Sequence, residues 1–347
     1  LELTTIEVRA PSGTCRVHVG ERLARLESHI PPGKAVFITD ANVARLHGAS
    51  FGPGETIVLK PGEASKSLAG LERVYEGLLD AGADRATFVI AVGGGVVCDV
   101  AGFAASTYLR GLPFGFAPTT LLAQVDAGVG GKNGIDFRGY KNLVGVFSPP
   151  RFVLCDPDVL RTLPARETAN GLAEMVKTAA IGGPALFDEI ERAPEKALGL
   201  DPDFIGRAVL ASLRIKAAVV EADEREGGAR RILNFGHTLG HAIESVAGVA
   251  HGEAVGAGLV FAARLSVRRG YLAAEDAERI AALVGRLGLP TEMGAPAAAL
   301  PALIDAVRRD KKRVGDAVRF VFLEAIGRPL VREIPLAELE SAIHDLC

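Results

Sequence analysis

The feature that most limits what this chain can become is a short apolar run that ends in three glycines. Thr87–Val92 reads TFVIAV, and it passes directly into Gly93-Gly94-Gly95 before the helical pattern of Val96–Thr107 begins. A β-branched run of that length without polar alternation fits a strand buried on both faces, as in a parallel sheet. A second run, Lys34–Thr39 (KAVFIT), ends at Asp40-Ala41-Asn42, and Leu68–Ala81 carries a further helical pattern. Strand, loop and helix in alternation predict an α/β domain with a mostly parallel, Rossmann-like sheet.

After about Pro164 the pattern changes. Helical periodicity marks 169–181, 202–222, 234–246, 253–269, 274–287 and 298–309, followed by a strand-like run at 317–323 and a last helix near 336–346. At 347 residues the chain exceeds what one core usually organises. The expected division is an α/β domain over 1–164 and an all-α domain over 165–347, with an active site in the cleft between them.

The formal net charge is −3, with both signs mixed along the chain. That excludes a broad surface for nucleic acid or anionic membrane, and leaves room for local cationic pockets. No apolar run approaches the ~20 residues of a membrane span, and the start LELTTIEVRAPSG alternates like a strand with no signal pattern. Cys15, Cys98, Cys155 and Cys347 form no CxxC pair, so free thiols in a reducing cytoplasm are expected.

A triple glycine between strand and helix lets the backbone approach a ligand, and the helix N-terminus offers free N–H groups to a phosphate. Asp40, ending the earlier run, suits a ribose hydroxyl. The spacing is GGG, then Asp99, then Gly102, and not GxGxxG, so by itself it is as often plain turn geometry. Its weight comes from 118–145, which holds Thr119, Thr120, Asp126, a second glycine cluster, Lys132, Lys141 and Asn142. Glycines alternating with Lys and Asn suit anion binding by backbone and side-chain donors.

In the helical half, Asn170, Glu174 and Lys177 share one helix face, where a solvated Glu–Lys pair is the ordinary reading. Three of the seven histidines fall at 237, 241 and 251. Asn234, His237, His241 and Glu244 form one stripe opposite Phe235, Leu239, Ile243 and Val246, so these histidines are either exposed or line a site. Imidazole is the commonest metal ligand, but Thr238 stands where a zincin carries its catalytic Glu, which disfavours metalloprotease chemistry. Lys216 lies on the apolar stripe of Ile205, Val209, Leu213 and Val220. A lysine there calls for an anionic partner, or for a stem that snorkels to water.

Together these motifs resemble the 3-dehydroquinate synthases of the sugar phosphate cyclase family. The match runs through DANV at Asp40, PGEASKS at Pro61, GGGVVCDVAGF at Gly93, YLRG at Tyr108, PTTLLAQVDAGVGGKNGI at Pro118, KNLVG at Lys141, LPARE at Leu163, GLAEMVK at Gly171, RRILNFGHTLGHAIE at Arg230, HGEAVGAG at His251 and DKK at Asp310. The resemblance implies a Zn2+ site, with Co2+ as the alternative ion, formed by Glu174, His237 and His251. It implies NAD bound by Asp40, Asn42, Glu63, Lys66, Gly94, Gly95, Asp99, Thr119, Thr120, Lys141, Thr162 and Glu167. For a phosphorylated sugar acid it implies Asp126, Lys132, Asn142, Lys177, Lys216, Arg230, Asn234, His241, Lys311 and Lys312, with Arg110 reaching the phosphate from the neighbour in a homodimer.

The implied reaction converts 3-deoxy-D-arabino-heptulosonate 7-phosphate to 3-dehydroquinate and phosphate, with NAD regenerated. Related cyclases act on sugar phosphates without a carboxylate, for which Lys216 and Arg230 would have no use. A metal-dependent polyol dehydrogenase would not need this anion-binding set. The chain departs from the family pattern at Ala127-Gly128, Asn133 and Ser148-Pro149.

Overall fold

Both apolar runs form buried parallel strands, paired from Ala35↔Phe88 to Thr39↔Val92. The structure, a computed structural model, describes residues 2–292, 300–308 and 313–346. In chain order the first strands are β1 (Thr4–Ala10), β2 (Gly13–Val19), β3 (Ala35–Asp40), β4 (Glu55–Leu59), β5 (Phe88–Gly93), β6 (Phe114–Pro118), β7 (Lys132–Phe137), β8 (Tyr140–Phe147) and β9 (Phe152–Cys155). Seven of them make one sheet in the order β1-β2-β9-β6-β5-β3-β4, while β7 and β8 form a separate hairpin. Only the β1–β2 pairing in the large sheet is antiparallel.

Every residue of β5 is buried, which is why its sequence shows no alternation. Burying a Val, Ile or Phe side chain of this kind contributes roughly 1.5–3 kcal/mol. The interleaved helices are α1 (Ala41–His47), α2 (Leu68–Asp80) and α3 (Gly95–Thr107). Helix α3 is buried nearly all round and packs on β5 and β7.

After β9 the chain is mainly helical: α4 (Ala165–Gly182), α5 (Pro184–Arg192), α6 (Pro194–Leu198), α7 (Pro202–Ala222), α8 (His237–Ala247), α9 (His251–Arg268), α10 (Ala274–Arg286), α11 (Leu300–Arg308) and α12 (Leu336–Leu346). To these helices the structure adds a three-stranded antiparallel sheet of β10 (Arg313–Val314), β11 (Ala317–Ala325) and β12 (Arg328–Pro335). Ser266 anchors it: its hydroxyl accepts the Leu323 N–H at 3.1 Å and donates to Ala262 O at 2.7 Å.

Two compact units emerge from the contacts. One is Leu1–Pro164 with Pro202–Arg225, and the other is Ala165–Asp201 with Glu226–Cys347. A single cut after Pro164, the expected boundary, differs from this grouping by one helix. Helix α7 packs on β1 and β2, and at its C-terminal end Glu221 accepts the Arg9 N–H at 2.8 Å. Its apolar stripe announces that it packs, and not on which partner. Among the described residues no helix is long and apolar enough to cross a membrane.

Candidate metal centre and cofactor site

In the second unit, ligand atoms of Glu174, His237 and His251 lie within 4.8 Å of one another. Each is set by its element. Glu174 sits mid-way along α4, whose face from Gly171 to Ile181 is buried throughout. His237 is the first residue of α8, and its Nδ1 lies 3.1 Å from Phe235 O. Since a carbonyl only accepts, Nδ1 carries the proton there and Nε2 is left to face Glu174 Oε1 at 3.2 Å.

His251 begins α9 and repeats the arrangement with a different partner. Its Nδ1 lies 3.1 Å from Glu244 Oε2, and its Nε2 lies 3.0 Å from Glu174 Oε1. The second oxygen of Glu174 pairs with Lys177 Nζ at 2.5 Å. Glu174 and Lys177 are 0% and 1% exposed, so the solvated pair that helix spacing suggested is instead a buried one.

Burial favours a neutral Glu174, yet Lys177 and His237 hold its carboxyl well below the usual range. Burial depresses His237. His251 is buried too, but its hydrogen bonds to Glu174 and Glu244 outweigh that and push it up to about 10. The geometry therefore concentrates negative charge at a point that two imidazole nitrogens face. A proton satisfies that balance, and a divalent cation with one carboxylate and two imidazole ligands satisfies it better.

His241 is exposed on α8, its ring 5.1 Å from His237 and 6.2 Å from His251. Asn234 does not share the helical stripe. Gly236 adopts φ 77°, a left-handed conformation, so α8 starts only at His237. Asn234 closes the preceding 3-10 turn Ala229–Asn234 and donates to Glu226. Arg230, in that same turn, is 2% exposed. Glu167 is exposed in the first turn of α4, and Lys311 and Lys312 lie outside the described residues.

In the first unit the glycine turn precedes α3, whose N-cap Gly94 supplies no side-chain cap. A Cβ on Gly94 would lie 2.9 Å from Thr120 Cγ2, so glycine lets the two loops meet. Gly95 opens the helix; Thr119 N–H donates to Gly93 O at 2.9 Å, and Thr120 Oγ1 accepts the Ala123 N–H at 3.2 Å. Asp40 caps α1 by accepting the Asn42 and Val43 N–H groups at 2.8 and 3.1 Å.

Lys66 is ion-paired with Asp99. Burial opposes its charge, but Asp99 and Glu63 hold it above the ordinary lysine value. Lys141 faces Glu63 at 3.5 Å, and Thr162 Oγ1 lies 3.1 Å from His47 Nε2. These contacts join Lys66 with Asp99 and Lys141 with Glu63, while Thr162 meets the end of α1 at His47.

The substrate set in this unit is partly internal. Lys216, 5% exposed, pairs with the Asp126 carboxylate and donates to Asp126 O at 2.5 Å, so its partner is a residue of the chain itself. Asp126 lies in a one-turn π-helix, Ala123–Ala127, a form frequent at functional sites. Lys132 is exposed at the start of β7, and Asn142 is exposed at φ 50° with its N–H on Asp136 Oδ1 at 2.8 Å. Arg110 is exposed in the turn Tyr108–Arg110 at φ 69°. The departures at Asn133 and Ser148 meet each other, Asn133 donating to Ser148 O at 2.7 Å.

Sequence reasoning assigned no role to Glu244, to Glu226, or to Asn170, whose Oδ1 is buried without a hydrogen-bond partner among the described residues. Asn170 stands one turn before Glu174, and that spacing was the available signal. Glu244 lies on the periodic α8 stripe, but its approach to His251, like that of Glu226 to Asn234, spans a loop that no periodicity describes.

A parallel α/β unit with an uncapped glycine turn, and a helical unit with a buried carboxylate and two imidazoles, define a class of cofactor- and metal-site enzymes. Residues 56–170 match the family model described as 3-dehydroquinate synthase N-terminal, and 171–313 the one described as 3-dehydroquinate synthase C-terminal. The chain belongs to the 3-dehydroquinate synthase family of sugar phosphate cyclases.

Among solved structures it is similar to 2-epi-5-epi-valiolone synthase from Streptomyces hygroscopicus subsp. jinggangensis 5008 with NAD+ and Zn2+ bound, at 27% identity over 97% of each chain and TM-score 0.87. It is also similar to a 2-deoxy-scyllo-inosose synthase complexed with carbaglucose-6-phosphate, NAD+ and Co2+, at 26% identity over 98% of this chain and 99% of that one, TM-score 0.85. A probable glycerol dehydrogenase from Sinorhizobium meliloti 1021 shares the fold at 18% identity over 93% of each chain, TM-score 0.66.

Proposed function

We propose that the protein is a 3-dehydroquinate synthase, converting 3-deoxy-D-arabino-heptulosonate 7-phosphate to 3-dehydroquinate and phosphate. The observation that carries this reading is the match of the chain to both 3-dehydroquinate synthase family models, over residues 56–170 and 171–313.

NAD would supply a hydride acceptor that later returns the hydride, and a divalent ion would polarise a substrate hydroxyl as a Lewis acid. Glu174, His237 and His251 would hold that ion, and Asp40, Asn42, Glu63, Lys66, Gly94, Gly95, Asp99, Thr119, Thr120, Lys141, Thr162 and Glu167 would hold the dinucleotide. Lys177, one turn from Glu174, would steady negative charge on the reacting hydroxyls. Lys132, Asn142, His241 and Arg110 would bind the phosphate as it leaves, with Arg110 supplied across a homodimer. Asp126 would orient Lys216, and Asn234 would orient the substrate beside Arg230. The proposal places the enzyme in the cytoplasm, in keeping with free thiols at Cys15, Cys98 and Cys155.

The test supplies the heptulosonate phosphate with trace NAD and Zn2+. Stoichiometric phosphate and dehydroquinate without net NADH are expected. A second reading, a cyclase for a carboxylate-free sugar phosphate, is favoured by the Asp126–Lys216 pair, which satisfies the lysine without a ligand. Phosphate released only from such a sugar would establish it, and NADH formed one-for-one would indicate a polyol dehydrogenase. His251→Ala is expected to lose both bound metal and turnover; stoichiometric zinc retained in that variant would refute the ligand set.

A further inference from the structure

The β7–β8 hairpin is irregular at Asp136. Its register runs evenly from Lys132↔Phe147 to Ile135↔Val144 and then jumps to Phe137↔Tyr140. Asp136 alone therefore stands opposite Lys141, Asn142 and Leu143, a bulge with two extra residues on β8. Asn142 sits inside it at φ 50°, in the left-handed region that a non-glycine residue keeps only when its surroundings hold it there.

Asp136 is tied on two sides. Its N–H donates to Lys66 O at 2.9 Å, which joins β7 to the end of the 3-10 turn Glu63–Ser65. Its carboxylate Oδ1 accepts the Asn142 N–H at 2.8 Å, across the bulge. A donor that the broken ladder takes out of the regular pairing thus gains a charged acceptor, the stronger kind of hydrogen bond. Lys141, one residue before Asn142, reaches back to Glu63 Oε1 at 3.5 Å on that same turn. Asp136 is half-buried, whereas Lys141 and Asn142 are exposed.

In a regular strand Lys141 and Asn142 would point to opposite faces. A bulge breaks that alternation and re-aims a side chain, a device frequent beside active sites. We propose that Asp136 is a positioning residue: its carboxylate pins the bulge, and the bulge sets the directions in which Lys141 and Asn142 meet their ligands. In the function proposed above, on which this role rests, Lys141 holds the dinucleotide and Asn142 the departing phosphate. Asp136 acts through the Asn142 backbone and takes no part in the chemistry.

The hydrogen bond, and not the charge, is what the role requires. Burial opposes the charge on Lys66, and Asp99, Glu63 and more weakly Asp136 hold it above the ordinary lysine value. Lys66 is ion-paired with Asp99 in any case. Asparagine at 136 would still present an oxygen to the Asn142 N–H, and alanine would not.

The experiment compares Asp136→Ala, Asp136→Asn and the unaltered enzyme, each loaded with zinc. NAD is titrated calorimetrically without substrate, and kcat and KM are measured with the heptulosonate phosphate at saturating NAD. Asp136→Ala should weaken NAD binding and raise that KM by about tenfold each, with kcat little changed. Stoichiometric zinc in the variant shows that the fold stands. Asp136→Asn should return both values to within about threefold of the unaltered enzyme. Hydrogen exchange at the Asn142 amide should be fast in the alanine variant and slow in the other two. Unchanged NAD affinity in Asp136→Ala, a loss confined to kcat, or an asparagine variant as weak as the alanine overturns the proposal. If the unaltered enzyme releases no phosphate from the heptulosonate phosphate, the proposed function fails, and the NAD titration and Asn142 exchange still decide on Asp136.

Discussion

His251 shows how much a single residue's position depends on what stands behind it. Its Nδ1 faces Glu244, so its Nε2 faces Glu174, and that orientation makes it available as a ligand. Carboxylates behind ligating imidazoles fix the tautomer and raise ligand basicity. Glu244→Gln keeps the shape and removes the charge. It should lower metal affinity roughly 10–100-fold, measured by competition with a chromophoric chelator, and unchanged affinity would detach Glu244 from the centre. At this scale the sequence was informative in type and silent on partner. A lysine on a core stripe signalled that Lys216 needs an anion, but nothing in the spacing pointed to Asp126, ninety positions earlier. The His237–His241 pair was legible from its helical period; Glu174 as the partner of His237 and His251 came only through the family resemblance.

Among elements, the metal centre depends on how closely α4 and α9 approach. A Cβ on Gly252 would overlap the Asn170 backbone, so only glycine allows α9 to start beside α4 and bring His251 to Glu174. Glu253 reinforces the contact: it accepts the Ala250 N–H at 3.1 Å and takes Arg166 Nε and Nη2 at 2.6 and 2.8 Å. Gly252→Ala should therefore destabilise the fold by about 1–3 kcal/mol, read from denaturant unfolding, and should weaken metal binding in parallel. Stability lost with metal affinity intact would separate the packing from the centre. Elements with strong periodicity were readable: α2, α3, α7 and the core strands β3 and β5 lie within a residue or two of their sequence limits. The start of α8 was not, because Phe235 and Asn234 continue the periodic pattern while Gly236 turns the backbone out of it. The β7–β8 hairpin was also missed, since its glycines and charges read as a ligand-binding loop.

For the molecule as a whole, the buried thiols report on global unfolding. Burial pushes Cys15 up to about 12 from 9.0 and raises Cys98 and Cys155 for the same reason. A folded-state pKa raised above the unfolded one contributes stability that is complete below pH 9 and lost as pH climbs toward 12. Stability should therefore fall across that window, and replacing Cys15 with Ala should flatten the decline. At pH 8 the three thiols should resist alkylation until denaturant unfolds the chain, as peptide mapping would show; labelling at native stability would mean that the first unit opens locally. The two-part architecture was legible in the change of pattern near Pro164, whereas the return of α7 was not, because a helix's sequence does not state its neighbour. That return imposes an order of events during synthesis. The first unit stays unfinished until residue 225 has been made, and by then 37 residues of the second, 165–201, already hang outside it. At about 5–20 residues per second, the nascent sheet waits roughly 3–12 s for its last helix, with the face of β1 and β2 that α7 will cover still bare.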